Sequence, residues 1–467
     1  MTQTPAGKPS ESPPFVERLR QAVAGPAGGF VFLGNFEVEE HWAVGKTGLP
    51  KIAVGKGRAV VNRMEEFALL LAGEGDCVLL KAEPDAAYLA YLEHLGVPLP
   101  ERLVVADQDP ERVVTEDALA DQGVLDRLRE LAASGYRILP HGVSVLEEEL
   151  AARSGMPLAA PSAEVCERVN SKVYSRLAAE AAGLRQARGW ACSTVEEFRA
   201  AAEQAAPLLR EGRKVVVKDA YGVSGKGMAV VESESRLALI TRKVASAAAK
   251  AGTDRVALVV EEWVAKETDL NYQFTVSRDG SVHFDFVKEA ITEQGVHKGH
   301  RMPARLTPDQ VAVLRDAARL LGRRLHEDGY WGVVGVDAMV DPDGGVYPVV
   351  EINARNNMST YQVGLQERYL ADGQVALARQ YPLGLRRPLS FEALDDALGP
   401  LLLRAPGETG LLVNNFATVN AEADGGKPRF EGRLYGLLIA DSAEKADVLD
   451  AEITDRLATL TTEDTDD

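Results

Sequence analysis

An α/β protein opening with a doubly wound domain is the fold class the chain predicts. Short β-branched runs alternate with Ala-, Leu-, Glu- and Arg-rich helical stretches along its 467 residues. That length exceeds what one hydrophobic core sustains, so roughly two to four domains are expected. Hydrophobic residues make up 46% and charged residues 26%, the balance of an ordinary soluble enzyme.

The Pro- and Ser-rich opening MTQTPAGKPSESPP, residues 1–14, is expected to be a disordered arm. Over 15–160, GGFVFLGNF, DCVLLKAEP, ERLVVAD and YRILPHG read as buried strands, with MEEFALLLAGEG and AAYLAYLEHLG as helices between them. AEVCERVNSKVYSRLAAEAAGL reads as one long helix carrying Lys172 and stopping near Gly183. A strand–helix–strand–loop–strand–helix–strand unit fills 186–262, inside a second domain spanning 161–385. Its second half mixes NYQFTVSRDGSVHFDFV and WGVVGVDAMVDPDGGVYPVVEIN with the helix TPDQVAVLRDAARLLGRRLHED. RRPLS, with Pro388, marks a boundary before a small C-terminal α/β segment, 386–460, and TTEDTDD (461–467) reads as a frayed acidic tail.

A net charge of −18 disfavours nucleic acid and anionic membranes, because phosphate contacts need dense Lys and Arg. Cys77, Cys166 and Cys192 lie far apart and show no CxxC spacing, which reads as a reducing compartment with no disulfide framework. No apolar run reaches membrane-spanning length, and the first residues lack the basic-then-apolar order of a signal peptide. A cytoplasmic location follows by default.

Three clusters carry the chemistry. In KDAYGVSGKGM a strand delivers Lys218, and Gly222, Gly225 and Gly227 (with Ser224 between them) permit a flexible loop whose N–H groups approach phosphate oxygens. The spacing is not that of a Walker loop, and a plain hairpin turn would look the same. In GVDAMVDPDGGVYPVVEINARNN a turn folds the chain back so that Asp337 sits beside Glu351 and Asn353, which are two apart on one face of a strand. Clustered carboxylates are costly unless compensated, and a magnesium ion carrying phosphate oxygens compensates them. Arg355, two residues further on, suits charge neutralisation on a phosphoryl group or tetrahedral intermediate. In VALVVEEWVAKETDLN an apolar strand ends at Glu261-Glu262-Trp263-Val264, a hinge whose backbone could read adenine, with Asp269 placed for a ribose.

Taken in order, Lys172, Lys218, the glycine loop, the EEWV hinge, Asp337 and the E-x-N-x-R of Glu351, Asn353 and Arg355 resemble the ATP-grasp superfamily over about residues 160–360. The α/β domain before them resembles a pre-ATP-grasp domain. The resemblance implies a two-lobed nucleotide-binding domain with 186–262 as its lid. It implies phosphate contacts from Lys172 and Lys218, with Lys288 as a further one. It also implies adenine binding by Glu261, Glu262 and Val264, ribose binding by Asp269, and magnesium ligation by Asp337, Glu351 and Asn353. ATP and Mg²⁺ are the implied cofactors, with Lys218 and Arg355 acting in catalysis.

A basic residue often found before the metal-binding Asp is absent here, where Gly335-Val336 stand, so Arg355 is expected to supply that charge. EINARNNMSTY and GRLYGLLIADS are most similar to peptide ligases of the pheganomycin type. That implies an acyl phosphate formed from a nonproteinogenic, often N-guanidino, amino acid and attacked by a peptide amino terminus. The partners are then a small carboxylate and an amine or short peptide, with a homodimer left open. Two alternatives stand: loading of an amino acid onto a carrier-protein thiol, and a catalytically silent ATP-binding regulator. His297 and His300, in EQGVHKGHRMP, are expected to be solvated and lie outside the catalytic set.

Overall fold

A computed structural model of the chain describes residues 13–25, 28–49, 58–222, 227–293, 296–423, 426 and 428–463. Four short strands, β1 (Phe30–Leu33), β2 (Cys77–Leu80), β3 (Glu101–Val104) and β4 (Arg137–Pro140), form a parallel sheet in the order β3-β2-β1-β4. These are the four strands expected. Chain order reverses at β1, so the crevice beyond the carboxyl ends of β1 and β4 is the topological switch point. Asn35 and His141 meet there: the Asn35 amide donates to Gly142 O at 2.8 Å and its oxygen accepts from His141 N at 2.9 Å.

The segment after β1 differs from expectation. Met64–Leu70 is a 3₁₀ helix, and all seven of its residues are buried, so tertiary contacts rather than an amphipathic stripe shape it. Glu66 Oε2 accepts from Phe416 N and Ala417 N, at 2.6 and 2.8 Å, which ties the segment to the far end of the chain.

The long helix expected to carry Lys172 is two helices, Ala163–Val169 and Lys172–Ala181. The Asn170 amide nitrogen donates to Cys166 O and Ala354 O, at 2.7 and 3.1 Å, and breaks the first helix. Ser171 caps the second through Tyr174 N at 3.0 Å. Lys172 is therefore the first residue of a helix, with its N–H on Ala220 O at 2.9 Å.

The unit over 186–262 matches its prediction. β5 (Gly189–Thr194), β6 (Val215–Asp219), β7 (Met228–Val231) and β8 (Arg255–Glu262) form an antiparallel sheet ordered β5-β8-β6-β7. Helices Val195–Arg210 and Glu234–Lys250 close its core over Cys192, Val217, Val231 and Leu258.

The remaining strands share one sheet. β9 (Thr268–Val276), β10 (Val282–Glu293), β11 (Val296–Met302), β12 (Gly332–Val340), β13 (Val346–Asn353), β14 (Val375–Leu385), β15 (Gly410–Asn415) and β16 (Phe430–Ala440) run in the order β13-β12-β9-β10-β11-β14-β16-β15. Strands on both sides of Pro388 belong to it, so the C-terminal strands extend this sheet instead of building one of their own. Their apolar runs explain why: Leu411, Leu412, Leu437 and Leu438 are all buried, against Tyr88 and Leu92 of the N-terminal domain. The last helix, Ala443–Glu463, runs past the point where a tail was expected. Residues 1–12 of the expected arm and 464–467 of the tail lie outside the described residues.

Candidate active site

The site begins with the pairing of β9, β12 and β13. Asp337 lies directly opposite Glu351, and Asn271 lies opposite Asp337 on its other side. Period-two alternation puts all three on one face. The Asn271 amide nitrogen donates to Asp337 Oδ1 at 2.9 Å, while Asn271 Oδ1 is buried with no partner. Burial first, and the Glu351 charge second, push the Asp337 carboxyl up to about 6.

Lys172 crosses above this row. Its Nζ donates to Glu351 Oε1 at 2.5 Å and to Gly222 O at 3.0 Å. Burial pulls the ammonium down, but Glu351, Glu39 and Asp337 outweigh it and hold Lys172 above the ordinary lysine range. Lys218, on β6, pairs with Glu261 on the neighbouring β8. Glu261 also faces Arg176 Nη1 at 3.4 Å, and the Arg176 fork donates to Ala187 O and Gly189 O at 3.1 and 2.7 Å. Burial lowers the Arg176 guanidinium below its ordinary range.

The two hinge acids diverge, as neighbours on a strand must. Glu262 turns away to accept from Arg213 Nε at 2.7 Å. The N–H groups of Glu262 and Trp263 are already bonded, to Arg188 O at 2.8 Å and Lys214 O at 2.9 Å, so Val264 offers the next hinge N–H. Asp269, at the start of β9, is ion-paired with Lys266.

One cavity of about 370 Å³ gathers Lys172, Lys218, Gly222, Glu261, Glu262, Val264, Asp269, Asp337, Glu351, Asn353 and Arg355 on its walls. Gly227 sits just outside it at φ 80°, a left-handed turn where an added Cβ would also press on Asp219 at 3.0 Å. Ser224 and Gly225 lie outside the described residues.

Two expectations need correction. Lys288 is absent from the cavity wall: it is fully buried on β10 opposite Asn271, at the end of the row, over the Phe286 ring, with Nζ on Ser359 O at 3.3 Å and Gln362 Oε1 at 3.5 Å. Desolvation drives its amine well below the usual lysine range, so it is not placed as a phosphate contact. His300 is not solvated. It is buried on β11 beside Ser359 Oγ at 3.3 Å and lines the cavity. The His297 side chain lies outside the described residues.

Arg355 joins the two domains. Its Nε donates to Glu39 Oε1 at 2.8 Å, and Nη2 reaches the same oxygen as well as Asn353 Oδ1 at 3.2 Å. Nη1 donates to Asn356 O at 2.9 Å and stands 3.4 Å from His141 Nε2. Burial, then the Arg355 charge, hold His141 well below its ordinary range, so the imidazole is neutral and can accept. His141 Nδ1 meets the Tyr361 hydroxyl at 2.9 Å.

Sequence reasoning missed Asn271, Arg176, Glu39 and His141. Arg176 had a signal, four residues past Lys172 on one helix. Glu39 and His141 had none, since nothing local says that the N-terminal domain reaches Arg355.

The oxygens fit a hard cation. Among the described residues no three His, Cys, Asp or Glu side chains cluster as a metal cage. Two facing carboxylates, amide oxygens and an orphaned Asn271 Oδ1 instead suit Mg²⁺, which takes few protein ligands and completes its shell with phosphates and water.

Two family descriptions match the chain. "Pre ATP-grasp domain" matches residues 64–156, and "Carbamoyl-phosphate synthase L chain, ATP binding domain" matches residues 171–362. The chain belongs to the ATP-grasp superfamily, as an ADP-forming ligase with a pre-ATP-grasp domain ahead of the nucleotide-binding unit.

Among named proteins it is 28% identical over 360 residues to the [butirosin acyl-carrier protein]–L-glutamate ligase of Niallia circulans, covering 76% of this chain and 79% of that one. It is 26% identical to the carbamoyl phosphate synthase large chain of Myxococcus xanthus over 44% of this chain and 18% of that one. Two solved structures share the fold. The ADP complex of N5-carboxyaminoimidazole ribonucleotide synthetase superposes with a TM-score of 0.53 at 15% identity, covering 93% of this chain and 98% of that one. Biotin carboxylase of Campylobacter jejuni gives 0.53 at 16%, covering 86% and 90%. No helix among the described residues is long and apolar enough to cross a membrane.

Proposed function

We propose that the chain uses ATP to convert a carboxylate into an acyl phosphate and transfers the acyl group to an amine, forming a peptide bond in natural-product biosynthesis. One observation carries this reading: Lys172, Lys218 and the Asn271–Asp337–Glu351 row face a single cavity large enough for a nucleotide. The carboxylate attacks the γ-phosphate in line, and Lys172 and Lys218 leave their carboxylate partners to share the phosphate charge. Glu261 and the Val264 N–H read the adenine edge in this proposal, and Asp269 the ribose. Asp337, Glu351 and Asn353 would hold Mg²⁺, which supplies charge neutralisation on the phosphates. Arg355 stabilises the tetrahedral oxyanion when the amine adds. The unit over 186–262 closes on the nucleotide and keeps water from the acyl phosphate. The carboxylate is a nonproteinogenic amino acid, and the acceptor is the amino terminus of a short peptide.

The glutamate ligase relative favours a second reading, in which a carrier-protein thiol takes the acyl group. The net charge of −18 opposes docking of an acidic carrier and keeps this reading second. The protein is to be incubated with ATP, Mg²⁺, amino acids and short peptides, with nucleotides resolved by chromatography and condensed products by mass. ADP with an amide product supports the first reading, and ADP with a thioester, when a carrier protein is added, supports the second. AMP and pyrophosphate would overturn both.

A further inference from the structure

The cavity wall contains one carboxylate that the proposed nucleotide site does not use. Glu351, Glu261, Glu262 and Asp269 are each ion-paired within the nucleotide-binding unit, and Asp337 takes a hydrogen bond from Asn271. Glu39 differs. Among the described residues it is the one cavity-lining residue that precedes Lys172, and it enters from the N-terminal domain beyond Arg355. Its side chain is 12% exposed. Both bonds from Arg355 fall on Oε1, and no described residue donates to Oε2.

The helix that carries Glu39, Val38–Trp42, is anchored. Val38 and Trp42 are buried, and the Trp42 indole donates to Val143 O, just past β4, at 2.9 Å. The carboxylate is thus held in place from the switch-point crevice. Together Arg355 and Glu39 present a cation and an anion side by side on the cavity wall, where the acyl phosphate of the proposed reaction must form.

We infer that Glu39 selects the carboxylate substrate, reading a cationic nitrogen (ammonium or guanidinium) carried next to the carboxylate that Arg355 holds. The inference rests on the acyl-phosphate reading and names the substrate class for it. A zwitterion satisfies both wall charges at once. A neutral hydroxy or N-acyl acid would take the Arg355 guanidinium from Glu39 and leave that carboxylate unpaired in a largely enclosed site, which costs binding.

The test uses the full chain with ATP, Mg²⁺ and hydroxylamine in place of the unknown acceptor. The hydroxylamine nitrogen attacks the acyl carbonyl, the bond from carbonyl carbon to phosphate oxygen breaks, inorganic phosphate leaves carrying the proton that nitrogen gives up, and the hydroxamate that remains is read by its colour with added ferric ion. The probes are α-amino acids and guanidinoacetate, each beside its 2-hydroxy or N-acetyl counterpart. Wild type is expected to turn over the cationic acids and to reject the neutral ones. Glu39→Gln is expected to raise KM for the cationic acids by about 100-fold, to narrow the gap between cationic and neutral acids, and to leave ADP affinity intact. Equal wild-type turnover of cationic and neutral acids would overturn the inference while leaving the acyl-phosphate reading standing. So would an equal fall in kcat for both sets in Glu39→Gln, which would mean that Glu39 only positions Arg355. Absence of ADP and hydroxamate with every acid would instead bring down the parent reading, and this one with it.

Discussion

Lys288 gives the sharpest test of how the site is built, because its burial contradicts a phosphate-binding role. The amine lies off the cavity wall and, among the described residues, has no carboxylate partner; it bonds Ser359 O at 3.3 Å and Gln362 Oε1 at 3.5 Å. Its proton affinity is driven well below the usual lysine range by desolvation alone. Keeping such an amine neutral costs about 1.4 kcal/mol for each pH unit below the ordinary lysine value near 10.4. Two long hydrogen bonds return about 0.5 kcal/mol each.

Lys288→Met keeps the shape and removes the amine, so near pH 8.5 it should stabilise the protein by about 1–3 kcal/mol, the range for relieving a poorly bonded buried polar group. The sign with pH follows from the depressed proton affinity: wild type gains stability as pH rises toward the unfolded value, and the variant lacks that slope. The advantage of Lys288→Met should therefore shrink between pH 7.5 and 9.5. Urea unfolding at three pH values reads this directly, and ADP release reads activity, expected to stay within about threefold. A variant less stable at every pH, or an advantage growing with pH, would refute the burial argument. A loss of turnover beyond about 10²-fold would restore Lys288 to the phosphate site.

Lys218→Ala and Glu351→Gln should each lower kcat by about 10²–10³ with circular dichroism unchanged, and near-native turnover in either would show the site to be misassigned. Gly335→Ala should cost about 1–3 kcal/mol in urea unfolding and also lower kcat, because the added Cβ would lie 2.3 Å from the Asn357 amide. That amide is pinned by Ser359 N on its oxygen at 2.8 Å, so the clash is passed to the 353–357 turn that aims Arg355. Glu66→Ala should cost about 3 kcal/mol, since it strands the buried N–H of Phe416 and the half-buried N–H of Ala417. Burial pushes Glu66 up to about 7, so wild-type stability falls as pH rises from 4.5 toward 7, and the variant should lose that part of the slope.

Much of the site was legible in the sequence because its signals are local. Alternation alone puts Glu351 and Asn353 on one face, and the DPDGG turn fixes Asp337 opposite Glu351. The strand pattern of 186–262 likewise follows from short apolar runs punctuated by capped helices. What stayed hidden depended on contacts far apart in sequence. Asn170 breaks the helix before Lys172 by bonding Ala354 O, a partner that no helical periodicity reveals. Lys288 carries no local sign of what covers it: its register opposite Asn271 puts it on the face of the row, and Ser359 and Gln362, from the segment after Arg355, close over its amine. The C-terminal strands looked separable because Pro388 is a local break, whereas sheet membership is decided by pairing such as Met302 with Ala376.

Those long-range contacts also explain why the N-terminal domain is part of the site. Arg355 comes from the nucleotide-binding unit, yet its partners Glu39 and His141 stand at or just past the carboxyl ends of β1 and β4. A neutral His141 can accept from the guanidinium without competing for its charge, and Glu39 fixes the opposite edge of the fork. Detaching the N-terminal domain would therefore leave Arg355 partly enclosed and without its carboxylate, although the ligands for nucleotide would be untouched. Nucleotide binding and acyl transfer should accordingly separate. On the proposed function, changes at Glu39 or His141 should act on what the acyl group is and how it is held, and changes at Lys172, Lys218 or Glu261 on ATP. The division follows the seam between the two domains, with Arg355 as the side chain that crosses it.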